Sequence, residues 1–185
     1  MRRIWLASSS PRRRQLLAWV GFTVDGVGAD VDETPLPGEQ PVACAMRLAR
    51  MKAEGGPADA LVVAADTVVH LGGVMYGKPV DRDEAGAMLR RLSGRSHEVT
   101  TGVCVRRGER ARVFAVNTAV RFRELSDAEI DAYVATGEAD DKAGAYGIQG
   151  RAGMFVEHLA GSYSGVMGLP LCETAQLLKC FSFRL

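Results

Sequence analysis

The chain has 185 residues, of which 47% are hydrophobic, and a formal net charge of +1 at pH 7. That length accommodates one domain or two closely joined lobes with a substantial core. The near balance of acids and bases gives no global field for a nucleic-acid backbone, which argues against duplex binding and makes any basic site a local one.

Cys44, Cys104, Cys172 and Cys180 are widely spaced and form no Cys-x-x-Cys pair, a pattern that argues against a zinc site or a disulfide framework and fits a reduced cytoplasm. The apolar run before Ser8 is too short for a signal-peptide core, and no segment approaches the ~20 apolar residues of a membrane span.

Strand and helix signals alternate along the chain, an α/β pattern. The opening run Leu6-Ala7-Ser8-Ser9-Ser10-Pro11-Arg12-Arg13-Arg14-Gln15-Leu16-Leu17 reads as a short strand entering a helix at Pro11, with Ser10 as N-cap and Leu16, Leu17 and Val20 as its apolar stripe. Cations at a helix N-terminus oppose the dipole by roughly 0.3 to 1 kcal/mol each. Three arginines there point to a bound anion held by the free N–H groups and the guanidinium forks; a solvated basic helix face is the competing reading. Arg14, one step beyond the arginine pair, is turned away by about 100° and is expected in solvent.

Residues 22–27 read as a strand and 30–38 as a polar, proline-containing loop carrying Asp32 and Glu33. Residues 41–54 read as a helix with Val42, Ala45, Met46 and Ala49 inward, stopped by Gly55-Gly56-Pro57. The continuous apolar run 61–65 predicts a strand buried on both faces and ending at Asp66-Thr67. Asp66 then sits at a strand's carboxyl end, where open α/β sheets bind ligands, unless it caps the following turn. Lys52 falls near a helix C-terminus, which suits the dipole alone. Lys78, between Gly77 and Pro79, has its direction fixed by a tight turn and is a candidate phosphate ligand, although the spacing is not that of a P-loop.

Further on, 74–76 reads as a short strand and 83–92 as a helix, while 97–105 and 112–122 form a hairpin around residues 106–109. Ser126 and Glu129 make a capping box for a helix ending near Gly137. A strand-like run at 154–159 sits within a glycine-rich stretch, and Pro170 opens a last helix. In Tyr146-Gly147-Ile148-Gln149-Gly150 an amide flanked by glycines could read a base edge, or form a plain turn. His70, His97 and His158 read as structural or surface residues, and Ser162 and Ser164 lack the context of a serine nucleophile.

Taken together, Leu6 to Arg13, Asp32-Glu33, Arg47-Leu48-Ala49-Arg50-Met51-Lys52-Ala53, Ala65-Asp66-Thr67-Val68-Val69, Gly77-Lys78-Pro79, Leu92-Ser93-Gly94, Asp141-Lys142-Ala143-Gly144-Ala145-Tyr146-Gly147-Ile148-Gln149-Gly150, Gly161-Ser162-Tyr163 and Gly168-Leu169-Pro170-Leu171 resemble the Maf family of nucleoside triphosphate pyrophosphatases over nearly the whole chain. The resemblance implies a single elongated, two-lobed α/β domain with a deep cleft, related to the inosine triphosphatase architecture and often a homodimer. It implies hydrolysis of a nucleoside triphosphate to monophosphate and pyrophosphate with a divalent metal, Mg2+ or Mn2+. Asp66 matches the family's proton acceptor, and Glu33, Lys52 and Lys78 its charged cluster. Arg12, Thr67 and Gln149 match positions tied to substrate choice, and Ser8 and Arg13 join them as substrate-binding candidates. Asp66 and Glu33 are the candidate metal ligands. The Tyr-Gly-Ile-Gln-Gly block resembles the branch acting on dTTP and UTP rather than the one acting on 7-methylguanosine triphosphate. A nucleotide-binding regulator of septation without turnover is the alternative from another class. Gly165 stands where many relatives carry Asn or Ala.

Overall fold

Strand β1 (Arg3–Leu6) opens the computed structural model, which describes residues 3–181. It lies parallel to β2 (Thr23–Asp25) on one side and to β3 (Val62–Leu71) on the other. From β3 onward the sheet is antiparallel: β5 (Ser96–Arg107), β6 (Arg110–Phe122) and β7 (Val156–Ala160) follow in order, while the short β4 (Val74–Tyr76) folds back on β3. The result is an open, mixed seven-stranded sheet, and the α/β expectation holds.

Alternation along β3 sorts its side chains between two faces. Val62, Ala64 and Val68 face α2 (Pro41–Glu54), whereas Val63, Ala65 and Val69 enter the larger core formed with α1 (Pro11–Trp19), α3 (Arg82–Leu92), α4 (Asp127–Val134) and α6 (Leu171–Lys179). In that core Phe122 is fully buried and meets His97, Tyr146 and Phe155 edge to face. Burying such a ring is worth about 1.5 to 3 kcal/mol. A 4-residue α5 (Tyr163–Val166) leads into α6.

Local chemistry explains the element ends. Ser126 and Glu129 form the expected capping box, and Asp81 caps α3 by accepting from the Glu84 N–H at 2.8 Å. Helix α2 stops at its glycines, where Arg106 crosses from β5 to bind the carbonyls of Ala53 and Gly56.

Several details differ from the sequence reading. Val20 and Val42 are 42% and 45% exposed, because the helices turn other residues inward: Leu16 and Leu17 on α1, and Cys44, Ala45, Leu48, Ala49 and Ala53 on α2. The second strand is only Thr23–Asp25, and the hairpin turn tightens to Gly108-Glu109. The run at 154–159 is split between a 3-10 turn (Arg151–Phe155) and β7. Ser10 has the extended backbone of an N-cap, but its side chain makes no capping bond.

Candidate active site

The site follows from an interruption at one edge of β3. On that edge Val62 and Val63 pair with β1 and Val69 to Leu71 with β4, while among the described residues no strand lies beside 64–68. The opposite edge is paired with β5 from Val62 to His70. The predicted end of the strand at Asp66 is therefore wrong: hydrogen bonding to β5 carries β3 on to Leu71, and it is the neighbouring β1 that stops. Asp66 and Thr67 sit at mid-strand, in the opening beyond the carboxyl end of β1. They project to opposite faces of the sheet, and both reach the same space because the sheet is open between them.

That space is a cleft of about 710 Å³, lined by all nine candidate residues: Ser8, Arg12, Arg13, Glu33, Lys52, Asp66, Thr67, Lys78 and Gln149. Beyond β1 the chain makes one more sheet-like bond, Ala7 N–H to Val63 at 2.9 Å, and then turns into α1 above the gap. The Lys52 ammonium donates to Asp66 Oδ1 and Glu33 Oε1, both at 2.6 Å, and Lys78 lies 3.7 Å from Glu33 Oε2. Lys52 and Asp66 are buried, so each removes the penalty the other would suffer alone. Lys52 is thus more than a dipole complement in the last turn of α2. Burial pushes the Glu33 carboxyl up, but the Lys52 hydrogen bond and the charges of Lys52, Lys78 and Arg13 outweigh it and hold it below the usual range.

Arg13 donates only to neutral oxygens, to Gly168 O at 2.8 Å, Ser8 Oγ at 3.0 Å and Thr67 Oγ1 at 3.2 Å, and among the described residues no carboxylate forms an ion pair with it. Burial lowers its proton affinity. A fixed, partly desolvated guanidinium of this kind is suited to an anion from outside. Arg12 reaches Asp141 at 3.2 Å, and Asp141 also accepts from Lys142 at 2.5 Å. Five basic side chains, Arg12, Arg13, Lys52, Lys78 and Lys142, face three carboxylates in the cleft. Arg14 points away, as the helix rotation required, and binds the carbonyls of Val24 and Gly26.

The other end of the cleft is built by the segment around Tyr146. Gly144 and Ala145 both have left-handed backbones, with φ of 68° and 61°. A Cβ at Gly144 would lie 2.9 Å from a Val69 methyl, so only glycine lets this segment close on β3. Tyr146 is anchored by its hydroxyl to His97 Nε2 at 2.8 Å, and the Gly147 N–H donates to the Tyr133 hydroxyl. Gln149 follows, exposed at the cleft mouth.

Asp32, the neighbour of Glu33 in the loop, does not line the cleft; it accepts from the Thr34 N–H in a turn. Ser162 caps α5 and Ser164 accepts from the Leu171 N–H, so both are structural, while Gly165 is buried and offers its carbonyl to Thr101 at 2.7 Å. The sequence assigns Lys142 and Asp141 no role, although both stand in the motif that contains Gln149 and ends at Gly150.

The family model described as Maf-like protein matches residues 3–181. Proteins named dTTP/UTP pyrophosphatase from Chromobacterium violaceum and Anaeromyxobacter dehalogenans are 53% and 56% identical, each alignment covering 99% of this chain and 96% of the relative. A third so named, from Dechloromonas aromatica, is 52% identical over 98% of both chains. The structure of the Staphylococcus aureus Ham1 protein superposes with a TM-score of 0.46 at 16% identity, covering 65% of this chain and 71% of that one.

Proposed function

This chain belongs to the Maf family, and on that premise we propose that it is a nucleoside triphosphate pyrophosphatase acting on dTTP and UTP, releasing the monophosphate and pyrophosphate. The observation that carries the reading is the meeting, at one open strand edge, of an arginine with no carboxylate partner among the described residues and a lysine shared by two carboxylates. The first suits phosphate; the second suits activation of water.

Arg13, Arg12 and Lys78 would bind the phosphate chain and stabilise the charge that grows on the pyrophosphate leaving group. Asp66, fixed through Oδ1 by Lys52, has its second oxygen free to orient a water on the α phosphate and accept its proton. Asp66 and Glu33 each give one oxygen to Lys52 and retain another, and among the described residues no cluster of three or more acids, histidines or cysteines forms a dedicated metal cage. One or two carboxylates completed by substrate oxygens suit Mg2+ or Mn2+. With the free Asp66 oxygen given to the water, Glu33 and the substrate oxygens would hold the ion, and it would supply Lewis-acid polarisation of the phosphates.

Among the described residues no helix is long and apolar enough to cross a membrane. All four cysteines are free, which supports a reducing cytoplasm as the place of action. Homodimerisation belongs to the same proposal, and sedimentation tests it.

Pyrophosphate release from a panel of nucleoside triphosphates with Mg2+ tests the activity. Fast release from dTTP and UTP, lowered about 100-fold or more in Asp66→Asn, is expected. Nucleotide binding with no turnover would instead make the protein a regulator, and near-normal turnover in Asp66→Asn would remove the base from that residue.

A further inference from the structure

Glu33 lies in a segment, residues 26–40, that contains no helix or strand, yet its carboxylate is 2.6 Å from Lys52. Lys52 alone is a poor anchor for it, because the same ammonium also serves Asp66 and attracts incoming phosphate. A second attachment holds the loop from its other end. On α2, Arg47 forks onto Glu39, with Nε 2.6 Å from Oε1 and Nη2 2.7 Å from Oε2. The same Nη2 reaches the carbonyl of Thr34, the residue after Glu33, at 3.2 Å. Glu39 in turn accepts from the Leu36 N–H at 3.0 Å, and the Glu39 N–H returns a bond to Leu36 O at 3.0 Å.

Loop and helix are thereby tied through one planar guanidinium whose fork matches the carboxylate in two bonds. The Glu39 side chain is 8% exposed and that of Arg47 23%, so water competes weakly for the pair. Hydrogen bonding from Arg47 holds the Glu39 carboxyl down to about 2. Neither residue lines the cleft, whereas Glu33, Thr34 and Pro35 do. Arg47 and Lys52, about 7.5 Å apart along the axis of one helix, grip the loop at two points.

We infer that Arg47 and Glu39 are positioning residues for the reaction: their ion pair sets the backbone at Thr34 and so keeps the Glu33 carboxylate beside Lys52 and Asp66. The kinetic half of this inference rests on the pyrophosphatase reading; the structural half does not. Lysine at position 47 keeps the charge but loses the fork, and a glutamine at 39 keeps the shape but loses the charge. Displacement of a reacting group by about 1 Å is enough for losses approaching 100-fold.

The test uses Arg47→Lys and Glu39→Gln, each made in the wild-type chain and in Glu33→Gln, with turnover and amide hydrogen exchange followed together. Turnover is expected to fall about 10- to 100-fold in the wild-type background and less than about threefold in Glu33→Gln, since residues acting as one unit do not add. Amides of residues 33–39 should exchange faster while those of β3 and β5 stay protected. Equal losses in both backgrounds, wild-type turnover in Arg47→Lys, or unchanged exchange across 33–39 would each overturn the inference. A wild-type chain without activity on any nucleotide would sink the pyrophosphatase reading, and the exchange data would still judge the clamp.

Discussion

His97 is 1% exposed, with Nε2 against the Tyr146 hydroxyl and Nδ1 without a hydrogen-bond partner among the described residues. Burial, helped by the nearby His70, pushes its pKa down to about 4 from an ordinary 6.5. Between those values the unfolded chain binds a proton that the folded chain refuses, so stability is full above pH 6.5 and falls as the pH drops toward 4. The loss amounts to about 3 kcal/mol, or some 2 to 4 °C in Tm for each kcal/mol in a chain of this size. His97→Gln, which can still meet the Tyr146 hydroxyl, should show a shallower decline of Tm over the same window. Parallel curves for the two proteins would assign the acid sensitivity elsewhere, for instance to the Glu39 carboxylate, whose contribution is present above about pH 4.5 and disappears as pH falls toward 2.

Helix α2 meets the sheet unusually closely at Gly102, which pairs with Asp66 across β3 and β5. A Cβ there would lie 2.3 Å from the carbonyl oxygen of Ala45 and 2.8 Å from the Met46 nitrogen, backbone atoms that can yield only if the helix shifts. Gly102→Ala is therefore expected to cost about 1 to 3 kcal/mol of stability and, by lifting Lys52 from Asp66, to lower turnover by about 100-fold. Thermal unfolding and pyrophosphate release check the two effects separately; wild-type turnover would show that Lys52 tolerates the shift. The same helix shows what sequence could and could not reveal. Its limits, 41–54, were legible because proline and glycine punctuate both ends. Its buried face was legible only in part: Ala45 and Ala49 are inward as expected, but Cys44, Leu48, Ala53 and Lys52 complete the face in place of Val42, because close approach and charge pairing shape it as much as hydrophobic signal does. Asp66 was misplaced for a related reason: a strand's length depends on which neighbours continue beside it, and pairing with β5 is not written in the apolar run itself. All nine candidate residues nevertheless line the cleft, because their motifs fall on the turns and edges that surround the gap, whereas Asp141 and Lys142, which line it too, carry no signal beyond their motif.

Across the molecule the cleft joins two differently built ends. The end proposed to take phosphate rests on α1, α2 and the open edge of β3, and its charges are held by one another, by backbone carbonyls and, at Arg12, by Asp141 of the neighbouring segment. The other end rests on the segment around Tyr146, buttressed by His97, Phe122 and Tyr133 in the core. The ends touch at the Arg12–Asp141 pair and where the Gly144 N–H bonds Gly77 O; because Gln149 takes part in neither contact, its proposed discrimination among bases can change while the chemistry survives. Gln149, at the mouth and not part of the charged cluster, is the residue on which this separation can be tested. In Gln149→Ala, kcat/KM for dTTP and UTP should fall about tenfold relative to other nucleoside triphosphates, the worth of one hydrogen bond to a base edge. The release of pyrophosphate from poor substrates should change less than about threefold, because every group that touches phosphate stays in place. A uniform loss across all bases would instead mean that Gln149 shapes the segment on which Tyr146 stands, and that the two ends of the cleft act as one.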